Sequence, residues 1–144
     1  MDDKIKDIKE LKMRDSYAKR LREFRPDERL ISREGTIHGT SLRTDMITVD
    51  IKNVIRVWEF KVTADYSALG QLLVYLHLKR KETEFKKSVI GVLAVTEISE
   101  YIKEVIISSG LNIEIVLLNK SISGIEKYLI GNEVNVNYPH YFSN

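Results

Sequence analysis

The chain has 144 residues, 43% of them hydrophobic, with seven glycines, two prolines, no cysteine and a formal net charge of +2. That predicts one compact globular domain over residues 1–144, and it excludes disulfides, thiolate zinc sites, cysteine nucleophiles and iron–sulfur clusters. No apolar run approaches the roughly 20 residues that span a bilayer, and the opening Met-Asp-Asp-Lys-Ile-Lys-Asp is charged where a signal peptide is apolar, so a cytoplasmic protein with no membrane partner is expected.

Residues 5–24 place Ile5, Ile8, Leu11, Ala18, Leu21 and Phe24 near helical period, and Pro26 follows as a stop, which predicts a first helix. Three strands are expected next, over 29–37, 41–51 and 54–62, because these runs are rich in Ile, Val and Thr. Lys52-Asn53 reads as a tight hairpin between the last two. Asp65 is the expected N-cap of a helix from Tyr66 to about Arg80 with an apolar stripe at Leu69, Leu72, Leu73 and Leu76. Residues 88–95 and 112–118 are buried-strand runs around a helix over 98–109, a βαβ unit. Ser123-Gly-Ile-Glu126 has capping-box spacing for a last short helix to Ile130, and nothing in 132–144 demands regular structure. The sum is an α/β fold, a mixed sheet with helices on both faces.

Within 54–62, Glu59 and Lys61 are two apart, so a strand turns both to one face while Phe60 points the other way. Asp45 closes the polar part of the preceding run, Thr40-Ser-Leu-Arg-Thr-Asp45. Two carboxylates suit a hard divalent cation, which completes its shell with water and substrate oxygens, and a nearby ammonium can position the water. Taken singly, Asp45 ends a strand and Glu59 with Lys61 is an edge pair worth less than about 1 kcal/mol. The combination is what points to metal-assisted hydrolysis.

Asp45, Glu59-Phe60-Lys61 and Gln71-Leu-Leu-Val-Tyr75, in this order and on these elements, resemble the PD-(D/E)XK nuclease superfamily. The last segment is similar to the Q-h-x-x-Y motif of its RecB-like branch, here in a cluster-free form because cysteine is absent. The resemblance covers roughly residues 5–95 and implies a restriction-endonuclease-like αβββαβ core, with an added C-terminal strand and helix. It implies a magnesium-dependent nuclease, with manganese as a substitute, acting on nucleic acid and preferably DNA. Asp45 and Glu59 would hold the metal, Lys61 would orient the attacking water, and Gln71 and Tyr75 would stand by the site. Many members add an acid from the first helix. Glu10 is the candidate here, with Glu23 and Glu34 as rivals among which sequence does not choose. A junction-resolving endonuclease working as a homodimer, and an inactive nucleic-acid-binding module of the same fold, are the competing readings.

Residues 1–33 carry eleven Lys or Arg against eight acids and residues 79–87 carry five against two, so each zone has an excess of three positive charges. Lys79, Arg80 and Lys81 sit where cations stabilise a helix C-terminus. For a nuclease they are also, with Arg20 and Arg43, the candidate phosphate contacts, and Arg14, Lys19, Arg22, Lys86 and Lys87 are placed to join them. Trp58 and Phe60 are expected in the core, Asp50 at the hairpin, and His38, His77 and His140 stand isolated.

Overall fold

The structure is a computed structural model that describes residues 3–33, 44–118 and 133–137, with side chains described over 8–33 and 44–118. Helix α1 (Asp3–Lys19) and the short α2 (Leu21–Phe24) precede strands β1 (Glu28–Arg33), β2 (Met46–Asp50) and β3 (Ile55–Ala64). Helix α3 (Tyr66–Glu82), strand β4 (Val89–Ile98), helix α4 (Glu100–Ser108) and strands β5 (Ile113–Leu118) and β6 (Glu133–Asn137) follow. The six strands lie in sequence order, and only the β3–β4 and β4–β5 pairs are parallel. This is the restriction-endonuclease-like αβββαβ arrangement expected from the sequence.

Each face of the sheet has its own core. Ile55 and Val57 of β3 pack with Leu69, Leu72 and Leu76 of α3 and with Ile102 and Ile106 of α4. Trp58 and Phe60, pointing the other way, pack with Met13, Tyr17 and Leu21 of the first two helices. Tyr17 and Trp58 meet at 4.9 Å between ring centroids, and Trp58 stacks on Phe60 at 5.8 Å. Both aromatic strand residues are therefore core, as their parity requires. On the other face α3 lies close against β4, where a Cβ at Gly91 would stand 3.1 Å from the Leu72 side chain. Leu72 and Leu76 occupy the space that a larger residue there would take.

Asp65 caps α3 as anticipated, accepting from the Ala68 amide at 2.8 Å. The Lys52-Asn53 turn is also observed. Asn53 adopts φ 65°, and the Asp50 carboxylate accepts from the Lys52 and Val54 amides at 2.8 and 3.0 Å. Four sequence expectations need correction. The first helix is broken at Arg20, whose backbone leaves the helical region (φ −107°, ψ 21°). The inward stripe of α3 is Leu69, Leu72, Tyr75 and Leu76 with Ala68, and Leu73 is exposed. Strand β2 spans five residues where eleven were expected: Thr44 and Asp45 precede it and Ile51 lies in the turn, while 41–43 fall outside the described residues. Finally, 133–137 is not irregular but forms edge strand β6, antiparallel to β5. The helix expected to end at Ile130 lies outside the described residues, as do Glu34, His38, Arg43 and His140.

Beneath α2, the face of the sheet holding Trp58 carries a buried ionic network. Glu114 of β5 accepts from Arg25 and from Arg56 of β3, each at 2.8 Å. Arg25 also meets Glu28 at 3.2 Å, and Arg56 meets Asp50 at 2.9 Å. Thr48 donates to Glu28 at 2.6 Å and accepts from the Trp58 indole at 2.9 Å, so five elements or their connections are joined by charge and hydrogen bonds. Both guanidinium pKa values are raised: burial works against the charge, and the surrounding carboxylates more than offset it.

Candidate active site

Strand β3 is longer than its neighbour. Among the described residues the β2 ladder stops at the Met46–Trp58 pair, and β3 continues to Ala64. From residue 59 onward, β3 is bonded on its other side to β4. On the side that β2 has left, two carboxylates take the place of strand carbonyls. Asp45 accepts from the Phe60 amide at 2.7 Å, and Glu10 of α1 accepts from the Val62 amide at 2.9 Å. Amide donors cannot be buried unpaired without cost, so the departure of β2 calls for acceptors here and two acids supply them.

A cleft of about 240 Å³ opens at this place, lined by Glu10, Leu11, Arg14, Asp45, Glu59, Phe60 and Lys61. The Lys61 ammonium lies 3.8 Å from Glu59 Oε1 and 3.9 Å from Glu10 Oε1. Glu59 is 6% exposed, and its Oε2 is buried with no hydrogen-bond partner. Burial first, then the Asp45 carboxylate and more weakly Glu10, push the Glu59 carboxyl up to about 8 against the opposing pull of Lys61. Burial opposes the charge on Lys61, but Glu10, Glu59 and Asp45 together raise its pKa, so the ammonium is retained. Tyr75 is also raised, by burial and then by Glu59 and Asp45, which puts its hydroxyl within the field of the same carboxylates.

The structure thus brings together Asp45, Glu59, Lys61 and Glu10, with Tyr75 behind them. It separates Glu10 from Glu23, which is exposed and paired with Arg20 at 2.8 Å. Gln71 is exposed and does not line the cleft, because the inward side of α3 is taken by Leu72, Tyr75 and Leu76. Arg20 is held by Glu23 and lies over the Phe24 ring at 4.6 Å. Lys79 pairs with Glu82 at 2.6 Å, and Arg80 donates to the Val89 carbonyl at 3.0 Å, so both help close α3 while Lys81 is exposed. Arg14, expected from the sequence among the cations placed to meet phosphates, is 7% exposed and lines the cleft, with Nε and Nη2 on Asp15 at 3.1 and 3.0 Å. The available signal was its position one turn beyond Glu10, which puts both on one side of α1.

Among the described residues no three His, Cys, Asp or Glu side chains are gathered so as to hold a metal ion by themselves. The donor chemistry still suits a hard cation of the kind held by one or two carboxylates with water and substrate oxygens. The buried Glu59 Oε2 lacks a partner, and burial beside Asp45 and Glu10 opposes ionisation of the Glu59 carboxyl. A divalent ion would answer both.

No family model and no curated protein matches the chain. It is similar to solved structures of endonucleases. EndoMS in complex with double-stranded DNA is 24% identical with a TM-score of 0.61, over 72% of this chain and 42% of that one. A repair endonuclease from Pyrococcus abyssi is 25% identical with a TM-score of 0.60, over 71% and 44%. EndoMS in its apo form is 25% identical with a TM-score of 0.58, over 72% and 44%. This chain therefore matches less than half the length of each neighbour.

Proposed function

We propose that the chain carries a metal-dependent nuclease site that hydrolyses phosphodiester bonds of DNA. The observation that carries this reading is the convergence of Asp45, Glu59 and Lys61 on one cleft, with a buried Glu59 oxygen that no protein donor meets. Asp45 and Glu59 would hold the cation, magnesium or manganese, and Glu10 would accept from a coordinated water or from Lys61. A divalent ion bound there supplies Lewis acidity, lowering the pKa of water and offsetting charge on the phosphoryl group. The protein contributes placement. The raised pKa of Lys61 keeps its ammonium charged, so it can donate to the attacking water or to a nonbridging oxygen. Hydrolysis forms one phosphorus–oxygen bond from water and breaks one, and the water's proton leaves with the departing alcohol. Similarity to endonucleases, one of them bound to double-stranded DNA, supports DNA as the substrate.

The test is incubation of the purified chain with labelled single-stranded, duplex and branched DNA in magnesium or manganese. Lys61→Ala is expected to lower the cleavage rate by at least about 100-fold while leaving the fold intact. No cleavage of any substrate, or cleavage indifferent to Lys61→Ala, sinks the reading.

A further inference from the structure

Helix α3 ends in a left-handed turn at Glu84, and the turn carries Phe85 in the same conformation, which a bulky side chain rarely adopts. Glu84 and Phe85 both adopt the left-handed backbone region, at φ 57° and 59°. Glycine is the residue that relieves such a turn, and a bulky side chain there is a true outlier. Phe85 gains no burial in return, since it is 64% exposed. Its conformation is nevertheless well fixed. The Phe85 amide donates to the Arg80 carbonyl at 2.8 Å, the Glu84 amide to Lys81 at 2.9 Å and the Lys86 amide to Thr83 at 3.1 Å. The His77 ring lies against Phe85 at 6.3 Å between centroids, tilted by 54°. A strained backbone thus holds an aromatic ring out in solvent.

The surroundings are cationic. Residues 79–87 carry five Lys or Arg against two acids. Glu82 is engaged by Lys79 and Glu84 by Lys86, while Lys81 and Lys87 are exposed. An exposed ring among lysines is the surface that unpaired nucleic acid recognises, stacking a base on the ring and laying its phosphates along the cations. We propose that this turn is a second nucleic-acid contact, in which Phe85 stacks on an unpaired base and Lys81 and Lys87 follow the flanking phosphates. Its place in the catalytic cycle rests on the nuclease reading of the cleft, whereas binding itself does not. The turn leads into β4 beside Ile55, whose amide donates to the Ser88 carbonyl at 2.9 Å. Glu59 lies four residues beyond Ile55 along β3, so the turn and the cleft stand at different points along the same strand pair. The substrate class implied is DNA with an unpaired stretch or an extruded base.

The experiment uses the full chain in calcium, with a fluorescent oligothymidine and a blunt duplex of equal length as probes. Phe85→Gly is expected to unfold at the same or a higher temperature, to bind the single strand about tenfold more weakly, and to bind the duplex within about twofold of the parent. Phe85→Trp adds an indole to a chain whose one tryptophan, Trp58, is fully buried, and its emission should be quenched by the single strand. Unchanged single-strand affinity in Phe85→Gly, unchanged emission at saturation, or no binding of either probe by the parent overturns the proposal. Loss of affinity in Phe85→Gly, in a protein that never cuts DNA in magnesium, upholds this contact and rejects the nuclease reading. Lys61-dependent cutting with Phe85→Gly binding like the parent does the reverse.

Discussion

Glu59 is the residue on which the electrostatics of the cleft turn. Its carboxyl titrates near 8 in the folded chain and at 4.5 when unfolded, so between those values the folded state holds a proton that the unfolded state has released. The resulting stability is complete below about pH 4.5 and is lost as the pH rises through 8. Without metal, the melting temperature should therefore fall from pH 5 to pH 8, by an amount corresponding to a few kcal/mol. A divalent cation replaces that proton. Metal affinity should then climb with pH up to about 8 and level off, and Glu59→Gln should flatten both trends. Calorimetric melting with and without chelator, and metal titration at several pH values, check this. A melting temperature that rises from pH 5 to pH 8 in chelator would falsify the assignment. Lys61 answers a separate question, since Lys61→Ala should spare metal binding while removing turnover.

At the scale of elements, the sheet is held at its two ends by different means. One end carries the acid-lined cleft. At the other, the Glu114 carboxylate bridges Arg25 and Arg56 with two 2.8 Å contacts, tying the end of α2 to β3 and β5. Deleting one partner of a buried ion cluster leaves the others uncompensated. Glu114→Ala should cost about 3–5 kcal/mol in urea unfolding, far more than losing an exposed pair such as Arg20–Glu23. A loss below about 1 kcal/mol refutes that role. This network was hidden in the sequence, because Glu114 stands in a run that otherwise reads as a purely apolar strand. Strand β6 has a signal in the sequence, since Glu-Val-Asn-Val-Asn alternates with the period of a strand. The break at Arg20 had none, since apolar spacing continues across it to Leu21 and Phe24.

For the whole molecule, composition and pattern were enough to give the αβββαβ order, because β3 and β4 are long apolar runs and α3 is capped at Asp65. The cleft was half legible. Strand parity placed Glu59 beside Lys61, and order along the chain suggested Asp45. Choosing Glu10 over Glu23 required knowing which turn of α1 meets the free side of β3, and periodicity does not carry that. Gln71 fell outside the cleft because a four-residue spacing fixes a side of α3 but not its rotation against the sheet. Charge distribution makes a prediction at this scale. The cations of 1–33 and 79–87 belong to separate zones, so affinity for DNA should fall steeply with salt. Each phosphate contact removed, as in Lys81→Ala, should lower the log–log slope by about one. Filter binding from 50 to 200 mM salt measures it, and a slope near zero contradicts the proposed substrate.

The Phe60 and Val62 amides lie where a sheet normally continues, and each is closed by a carboxylate that also faces the cleft. They are for that reason built-in reporters of where those carboxylates point. A cation that draws Asp45 and Glu10 toward itself must loosen their hold on the backbone, and deuterium should then enter at positions 60 and 62 faster with magnesium than without it. The neighbouring odd-numbered amides of β3, bonded to β4, should keep their rates. The same arrangement advises how to silence the protein without harming it: Asp45→Asn retains an oxygen for the Phe60 amide, whereas Asp45→Ala abandons a donor inside the fold.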